Sequence, residues 1–371
     1  MTKELRHVIG QTFFVGISGK TLTPEESKFI AENNIGGVIL FDRNLENPEQ
    51  LYQLCQEIQK LRFKMVDQQP LFIGIDMEGG RVHRLKPPFT QWPAMKMLGD
   101  LDSAAFAFKV AEAMGSELLS IGINVDFAPC VDVLTNPQNK VIGDRSFGSD
   151  PELVSKISSA MVRGYVKSGI LPCAKHFPGH GNTLLDSHED LPVEEKTLQE
   201  LTDTELPPFK RAFRARLDLL MTAHILYSKI DPEWPATLSP KIIQEICRKD
   251  LGYRGIVMSD DLEMKALTKK WSHEVIAPQA FRAGCNILLY CWDISTPAKG
   301  LQAVIDAVNK NELDRALIDD SYNRVVSLKK SRLSKIEPLP YEEVKRLVGH
   351  PEHLSLAKSL RAGELPDDIQ T

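Results

Sequence analysis

The sequence predicts an α/β protein: a single-domain (β/α)8 barrel of the TIM type over residues 1–335, with a C-terminal helical extension and polar tail over residues 336–371. Short apolar runs rich in β-branched and aromatic residues occur eight times, separated by longer amphipathic segments, which is typical of βαβ units. Such a barrel needs about 250 residues plus insertions, and the chain has 371. No GxGxxG motif follows any of the runs, so a doubly wound nucleotide-binding sheet is disfavoured.

The predicted strands are, in chain order, VIGQTFFVGI (8–17), GGVILF (36–41), PLFIGID (70–76), INVDFAPCVDV (123–133), ILPCAKHF (170–177), LDLLMTAHI (217–225), RGIVMSD (254–260) and CNILLYC (285–291). Helix signals lie between them. Thr23-Pro24-Glu25-Glu26 has the capping-box spacing, with proline at the first helical position. Ser239-Pro240 starts another helix, which presents Ile242, Ile243 and Ile246 on one face. The last part of the chain reads as helices.

Composition excludes several classes of protein. With 45 basic and 50 acidic residues the net charge is −5, so we expect no nucleic-acid or membrane partner. No apolar run approaches the roughly 18 residues of a membrane span, and the first residues show no uninterrupted apolar h-region, so we expect no secretory signal. The six cysteines form no CxxC pair, and most sit in apolar segments, as buried free thiols do. We therefore expect a cytoplasmic protein. The sequence leaves the oligomeric state open, with a monomer as the expectation.

Chemically active side chains stand where the predicted strands end. Asp76 ends the third strand, Lys175 and His176 end the fifth, His224 lies near the end of the sixth, and Asp260 ends the seventh. Barrel enzymes carry their active sites at this C-terminal face. For the aspartates a purely structural role is the alternative, since an aspartate after a strand often caps the next helix. Together they predict a catalytic cavity.

The segment KHFPGHGNTLLDSH (175–188) holds three of the nine histidines. One interpretation is a metal site built by His176, His180 and His188. Pro178 and Gly179 prevent a helical zinc motif, and no glutamate follows in the HExxH manner. A loop-built, metal-dependent hydrolase therefore stays an alternative; we expect neither a metal nor a cofactor.

The other interpretation of this segment is proton transfer. In Asp186-Ser187-His188 the carboxylate can orient the imidazole and raise its basicity, which suits general acid/base catalysis near neutral pH. An isolated DSH would more simply be an exposed Asx-turn. The neighbouring strand-end carboxylates favour catalysis, and the glycines of Pro178-Gly179-His180-Gly181 predict a hinge.

Asp260 is the candidate nucleophile. Side chains alternate along a strand, so Asp261 should point the opposite way and cap the next helix. A carboxylate nucleophile with a separate proton donor is the arrangement of a retaining glycosidase.

Several motifs carry a family resemblance: GIDMEGGRVHRL (74–85), VDFAPCVDV (125–133), VIGDRSFG (141–148), KHFPGHGNTLLDSH (175–188), MTAHI (221–225), PATLSP (235–240) and LGYRGIVMSDDLEMKAL (251–267). With these the chain resembles glycoside hydrolase family 3, and within it the single-domain bacterial β-N-acetylglucosaminidases of peptidoglycan recycling. The matching order extends over roughly residues 5 to 335.

The resemblance implies roles for individual residues. Asp260 matches the nucleophile and His188 the acid/base, supported by Asp186. Met264 corresponds to a residue that lines the pocket, and the sugar hydroxyls would be held by Asp76, Arg84, Arg145, Lys175 and His176. The implied substrates are glycans ending in β-linked N-acetylglucosamine: muropeptides from the cell wall, or chitooligosaccharides. A catalytically silent sugar-binding relative is the remaining alternative, which the intact nucleophile and dyad disfavour.

Overall fold

The computed structural model describes residues 2–187 and 189–369 and confirms the predicted barrel. Eight parallel strands close in the order β1-β8-β7-β6-β5-β4-β3-β2. Their bounds are Phe13–Gly16 (β1), Gly37–Leu40 (β2), Phe72–Ile75 (β3), Val125–Asp126 (β4), Leu171–Phe177 (β5), Leu219–Thr222 (β6), Ile256–Asp261 (β7) and Ile287–Tyr290 (β8). All eight predicted strands therefore exist, in one closed sheet.

Helices connect successive strands and surround the barrel. The α-helices are Thr2–Gly10, Pro24–Glu32, Pro48–Lys60, Lys96–Leu101, Ala104–Ser120, Pro151–Ser168, Leu198–Asp203, Leu206–Arg214, Lys265–Thr268, His273–Ala283, Ser295–Asn309, Arg315–Arg332, Tyr341–Leu347 and Pro351–Ala362. Lys241–Asp250 is a π-helix. The short 3₁₀ helices are Asp42–Asn44, Leu61–Lys64, Gly143–Arg145, Ala236–Leu238 and Asp367–Ile369.

The first and fourth strands are the most shortened relative to their predicted apolar runs. Residues 8–10 of the first run end the helix Thr2–Gly10, because Leu5 and Ile9, four residues apart, bury one helical face. The fourth run pairs regularly only over Val125–Asp126, since Pro129 has no N–H to donate to a ladder. Past the proline, pairing is reduced to an isolated bridge.

The two predicted helix starts are confirmed. The Thr23 side chain accepts a hydrogen bond from Glu26 N at 3.1 Å, and the Glu26 carboxylate accepts one from Thr23 N at 2.9 Å, which completes the capping box. After Pro240 the helix buries the three predicted isoleucines. In both cases the local pattern decided the local structure.

The core has two layers. Alternate strand residues such as Phe14, Phe72 and Met258 fill the barrel interior, and the opposite faces pack under the helices. Helix Arg315–Arg332 supplies Lys329, whose buried Nζ donates hydrogen bonds to Gln11 Oε1 at 2.8 Å and Gly36 O at 2.7 Å. Both acceptors belong to the segments that lead into β1 and β2, so this contact lies at the N-terminal end of the barrel. The C-terminal end is left open for a site.

The C-terminal extension packs against the barrel helices. Val344, Ala357 and Leu360 join the same hydrophobic core as the barrel, and Gly349 N donates a hydrogen bond to Glu117 Oε1 at 2.6 Å. All six cysteines are buried and free, as predicted for those in apolar segments. Of the helices in the described ranges, none has both the length and the apolar character needed to cross a membrane.

Candidate active site

A cavity of about 480 Å³ opens at the C-terminal ends of the strands. Most of the predicted site residues line it: Asp76, Arg84, Arg145, Lys175, His176, Asp260 and Met264. Asp186 stands outside the lining, directly before Ser187, which belongs to it. His188 lies outside the described residues. Parallel strands bring side chains distant in sequence to one rim, as the barrel fold requires.

A buried ion network forms one wall of the cavity. Lys175 Nζ lies 2.7 Å from Asp76 Oδ1 and 2.6 Å from Glu78 Oε1. Arg145 binds Glu78 with two parallel hydrogen bonds of 2.7 and 2.8 Å. Glu78 is therefore held between two cations, while Asp76 keeps part of its carboxylate at the cavity. A bidentate arginine fixes geometry more strictly than a lysine contact does.

The network keeps Glu78 and Lys175 charged. Burial on its own raises the pKa of Glu78, but Arg145 and Lys175 overcompensate and lower it far below the usual range. Burial likewise opposes the charge of Lys175, yet Asp76 and Glu78 raise the pKa of its ammonium above the ordinary value. Each charge depends on its partners because the surroundings exclude water.

Glu78→Gln is expected to destabilise the protein by about 3–5 kcal/mol, the range for breaking a buried ion pair from one side. The amide leaves Lys175 and Arg145 without their shared counter-charge. Chemical denaturation of both proteins measures the loss. The exposed pair Lys20–Glu46, 3.0 Å apart, provides the control: Glu46→Gln should change stability by less than about 1 kcal/mol. Equal stabilities of Glu78→Gln and wild type would contradict this description of the network.

Asp132 organises the end of β5. Its carboxylate accepts hydrogen bonds from His180 N at 2.7 Å and His176 N at 3.2 Å, and contacts His176 Nδ1 at 2.7 Å. Burial raises its pKa, but His176 and these hydrogen bonds outweigh burial and lower the pKa to about 2. The bond at Nδ1 leaves Nε2 of His176 at the cavity side, 3.4 Å from the Arg145 guanidinium. Asp132 thus sets the ring orientation of His176.

His180 is a structural histidine. Its Nδ1 lies 2.7 Å from Thr183 Oγ1 and its Nε2 lies 3.3 Å from Ser187 Oγ. Burial, reinforced by the neighbouring His176, lowers its pKa to about 4, so the ring is neutral at pH 7. The ring ties the start of the segment to Ser187, one residue before His188.

The described part of the predicted histidine metal cluster does not assemble as a ligand set. Both ring nitrogens of His180 bond hydroxyl groups, and its ring lies 5.6 Å from that of His176, centroid to centroid. Among the described residues, the group that could hold an ion is instead Cys130, Asp132 and His176. Burial raises the pKa of the Cys130 thiol well above its usual value, which disfavours the thiolate that metals bind. These donors fit a hydrogen-bonded core better than a metal centre.

A short hairpin brings Arg84 to the cavity. Strands Met77–Gly79 and Val82–His83 pair antiparallel around Gly79 and Gly80, which have φ of +96° and +59°. A Cβ on Gly79 would lie 2.6 Å from Pro93 O, so the turn requires glycine. Beyond it, Arg84 approaches Asp76 Oδ2 at 3.7 Å and Asp42 Oδ2 at 3.2 Å.

Asp260 and Asp261 both line the cavity, at the end of β7. The prediction that they face opposite ways is wrong, because the register between β7 and β8 shifts between Met258 and Asp261, which breaks strict alternation. Helix capping by Asp261 is also wrong: the N-cap of Lys265–Thr268 is Met264, and Asp261 Oδ1 accepts from Glu263 N at 3.0 Å. Burial raises the pKa of Asp261 to about 8, so its carboxyl is mainly protonated at pH 7.

The Pro178–Gly181 segment is packed, contrary to the predicted hinge. All four residues are buried, and a Cβ on Gly181 would lie 1.8 Å from Val133 O. Its carbonyls are occupied: His180 O accepts from Asn139 Nδ2 at 2.7 Å. The glycines therefore permit close packing, and exposure begins only at Leu184, of which 68% is accessible.

The segment around Ser187 is fastened to the region after the nucleophile candidate. Ser187 O accepts a hydrogen bond from Ala266 N at 3.2 Å. Glu189 and Asp190 form exposed ion pairs with Lys265 and Lys269, each 3.0 Å long. A backbone hydrogen bond and Lys269 lower the pKa of Asp190, the opposite of what a proton donor needs.

Glu78 and Asp132 were not among the predicted site residues. Glu78 stands two residues after Asp76, on the same side of an extended chain, and this spacing could have indicated it. Asp132 has no such signal, because its partners lie 44 and 48 residues further along the chain. His224 is not one of the residues that line the cavity. It is buried, and its Nε2 lies within hydrogen-bond distance of Asp261 O, at 2.8 Å.

The chain is similar to known proteins over most of its length. The model of the glycosyl hydrolase family 3 N-terminal domain matches residues 4–328. A β-hexosaminidase of Nitrosomonas eutropha is 38% identical over 283 residues, which are 75% of this chain and 79% of that protein. A family 3 β-N-acetylglucosaminidase structure from a Paenibacillus species is similar with a TM-score of 0.89 at 35% identity, covering 97% of this chain and 68% of that one. The structure of NagZ of Neisseria gonorrhoeae in complex with N-trifluoroacetyl-D-glucosamine has a TM-score of 0.76 at 31% identity. The match covers 95% of this chain and 98% of that one.

Proposed function

The chain belongs to glycosyl hydrolase family 3, and from this premise we propose that it is a retaining β-N-acetylglucosaminidase. Its proposed substrates are glycans that end in β-linked N-acetylglucosamine, with muropeptides of peptidoglycan recycling as the main class and chitooligosaccharides as a second. The names of two relatives support N-acetylglucosamine as the terminal sugar. One is a β-hexosaminidase, and the other is a β-N-acetylglucosaminidase of known structure. NagZ in complex with an N-acylated glucosamine supports it further.

One observation carries the proposal: Asp260 shares a single cavity with the buried ion network of Asp76, Lys175 and Arg145. Charged groups of fixed geometry bind the hydroxyls of a terminal sugar by hydrogen bonds, which rigid partners form at low entropic cost. A sugar held there would present its anomeric carbon to a carboxylate at the end of β7.

Asp260 is proposed as the nucleophile. Its carboxylate oxygen forms a bond to the anomeric carbon while the bond from that carbon to the glycosidic oxygen breaks. Asp260 Oδ1 accepts a hydrogen bond from Asp261 N at 2.8 Å, which restricts the carboxylate. Asp261 is the weaker candidate, because a carboxyl group with a pKa of about 8 is mainly protonated at pH 7.

His188, oriented by Asp186, is proposed as the acid/base. The imidazolium gives its proton to the departing oxygen; in the second step the imidazole takes a proton from water as that water displaces Asp260. Two facts support this dyad. The residues on either side of His188, Ser187 and Glu189, both line the cavity. The rival acids Glu189 and Asp190 are exposed and paired with lysines.

The compartment is also a proposal. Six buried free cysteines suit a reducing environment, which supports the cytoplasm.

Hydrolysis of matched aryl β-glycosides tests the function. The N-acetylglucosaminide should be cleaved with a far higher kcat/KM than the glucoside or the xyloside. Proton NMR should show the β-anomer as the first product, because two inverting displacements give net retention. Preference for the glucoside would contradict the substrate, and an initial α-anomer would contradict the covalent mechanism.

A further inference from the structure

Trp292 is an exposed aromatic residue at the edge of the cavity. It follows β8, the strand next to the one that carries Asp260, and 63% of its surface is accessible although it lines the same cavity as the ion network. Tryptophan is enriched at binding interfaces because its ring combines a large apolar face with a polar N–H. The exposed indole therefore offers an apolar face to a ligand at the mouth of the cavity.

The backbone beneath the indole is clamped on both sides. The Glu263 carboxylate accepts hydrogen bonds from Cys291 N at 2.9 Å and Trp292 N at 3.0 Å. Arg43 donates to Trp292 O at 3.0 Å and to Ile17 O at 2.9 Å. Binding a ligand on this segment thus costs little ordering of the chain, which is how preorganised subsites gain affinity.

Arg43 also supports the aromatic side chains. Its guanidinium lies 4.9 Å from the Phe41 ring centroid and 5.6 Å from that of Trp292, so it joins two aromatic residues of the rim. Cation–π contacts of this kind hold an indole in place while one face remains accessible. Arg43 is a positioning residue here, and the contact surface is the indole.

The orientation of the bound substrate also indicates Trp292 as a contact. The terminal sugar is proposed to bind the buried charges, with its anomeric carbon at Asp260, so the leaving part must extend outward past the rim. An indole face can bind the apolar C–H face of a sugar ring. Exposed charged side chains such as Lys265 can bind only the sugar hydroxyls, and there they compete with water. Trp292 is the aromatic group at this outer edge with the most accessible surface.

We propose that Trp292 is the platform for the leaving-group sugar, the residue on the reducing side of the cleaved bond. This inference rests on the proposed function and extends it, because it assigns the second sugar subsite. The enzyme would accordingly favour substrates whose leaving group is a pyranose ring over those with a small leaving group.

The test compares two substrates with the same terminal sugar. The disaccharide of two β-1,4-linked N-acetylglucosamine units fills the second subsite, whereas β-N-acetylglucosaminyl fluoride leaves it empty. Trp292→Ala should lower kcat/KM for the disaccharide about tenfold or more, as expected for one lost stacking contact, and should leave the fluoride nearly unchanged. Trp292→Phe should recover most of the loss.

A second readout separates binding from proton transfer. With the fluoride as donor and methyl β-N-acetylglucosaminide as acceptor, Trp292→Ala should lower the ratio of sugar transfer to hydrolysis, because the acceptor occupies the same subsite and both reactions use the same base. Phe63→Ala is the matched control: Phe63 is also 63% exposed but lines a different cleft.

Equal losses on the disaccharide and the fluoride would overturn the proposal, since Trp292 would then serve the terminal sugar or the fold. An unchanged transfer ratio would overturn it as well. Failure of the wild type to cleave either substrate is a distinct outcome, which refutes the proposed function itself.

Discussion

Asp260→Ala is expected to lower kcat on an aryl β-N-acetylglucosaminide by about 10⁴-fold or more, the scale on which removal of a nucleophile acts. Water in the vacated space cannot form the covalent intermediate, and the cavity keeps its sugar-binding charges. Added azide should restore turnover and give the α-glycosyl azide, because one displacement replaces two. Steady-state kinetics and NMR of the azide product measure both effects.

Asp261→Asn is the control for this prediction. Since burial raises the pKa of Asp261 to about 8, the amide resembles the protonated acid that predominates at pH 7. The Oδ1 contact with Glu263 N can also persist in the variant. We expect the variant to stay within about tenfold of wild type, the size of one hydrogen bond. Loss of turnover in Asp261→Asn together with an active Asp260→Ala would exchange the two roles.

His188→Ala is expected to lose about 10²–10⁴-fold on substrates with poor leaving groups, the usual contribution of a general acid. Activated aryl glycosides need little protonation of the leaving oxygen, so their glycosylation rate should fall much less. The steepness of the plot of glycosylation rate against leaving-group pKa measures the effect. Asp186→Asn should show the same pattern more mildly, because Asp186 acts through the imidazole.

Glu189→Gln provides the matched control. Its carboxylate is exposed and lies 3.0 Å from Lys265 Nζ, so the variant should behave almost as wild type. A steepened leaving-group dependence in Glu189→Gln, with an ordinary dependence in His188→Ala, would assign proton donation to the glutamate and refute the dyad.

The barrel could be predicted from the sequence because its determinants are local. Apolar runs at the spacing of βα units specify eight strands, and parallel closure then places every strand end on one rim. For that reason we expected one site to contain Asp76, Lys175, His176 and Asp260, and all four line one cavity. The first and last of them are 184 residues apart in the chain (260 − 76).

The Thr23–Glu26 capping box was equally predictable, since both partners lie within one turn, whereas the predicted capping by Asp261 was wrong. The roles of individual residues came from the family motifs, because the hydrophobic periodicity of the sequence carries no information about them.

Contacts between distant segments were decided only by the tertiary structure. Asp132 holds His176 and His180 across more than forty residues, and nothing local in VDFAPCVDV indicates those partners. The register shift in β7 turned both Asp260 and Asp261 to the cavity, against the alternation of an ideal strand. Gly181 packs against Val133 and Gly179 against Glu205, because other chain segments pass within van der Waals distance of both glycines. Sequence periodicity determines which face of an element is apolar, whereas the groups that meet across the rim depend on register, bulges and loop packing, and these arise only when the whole sheet closes.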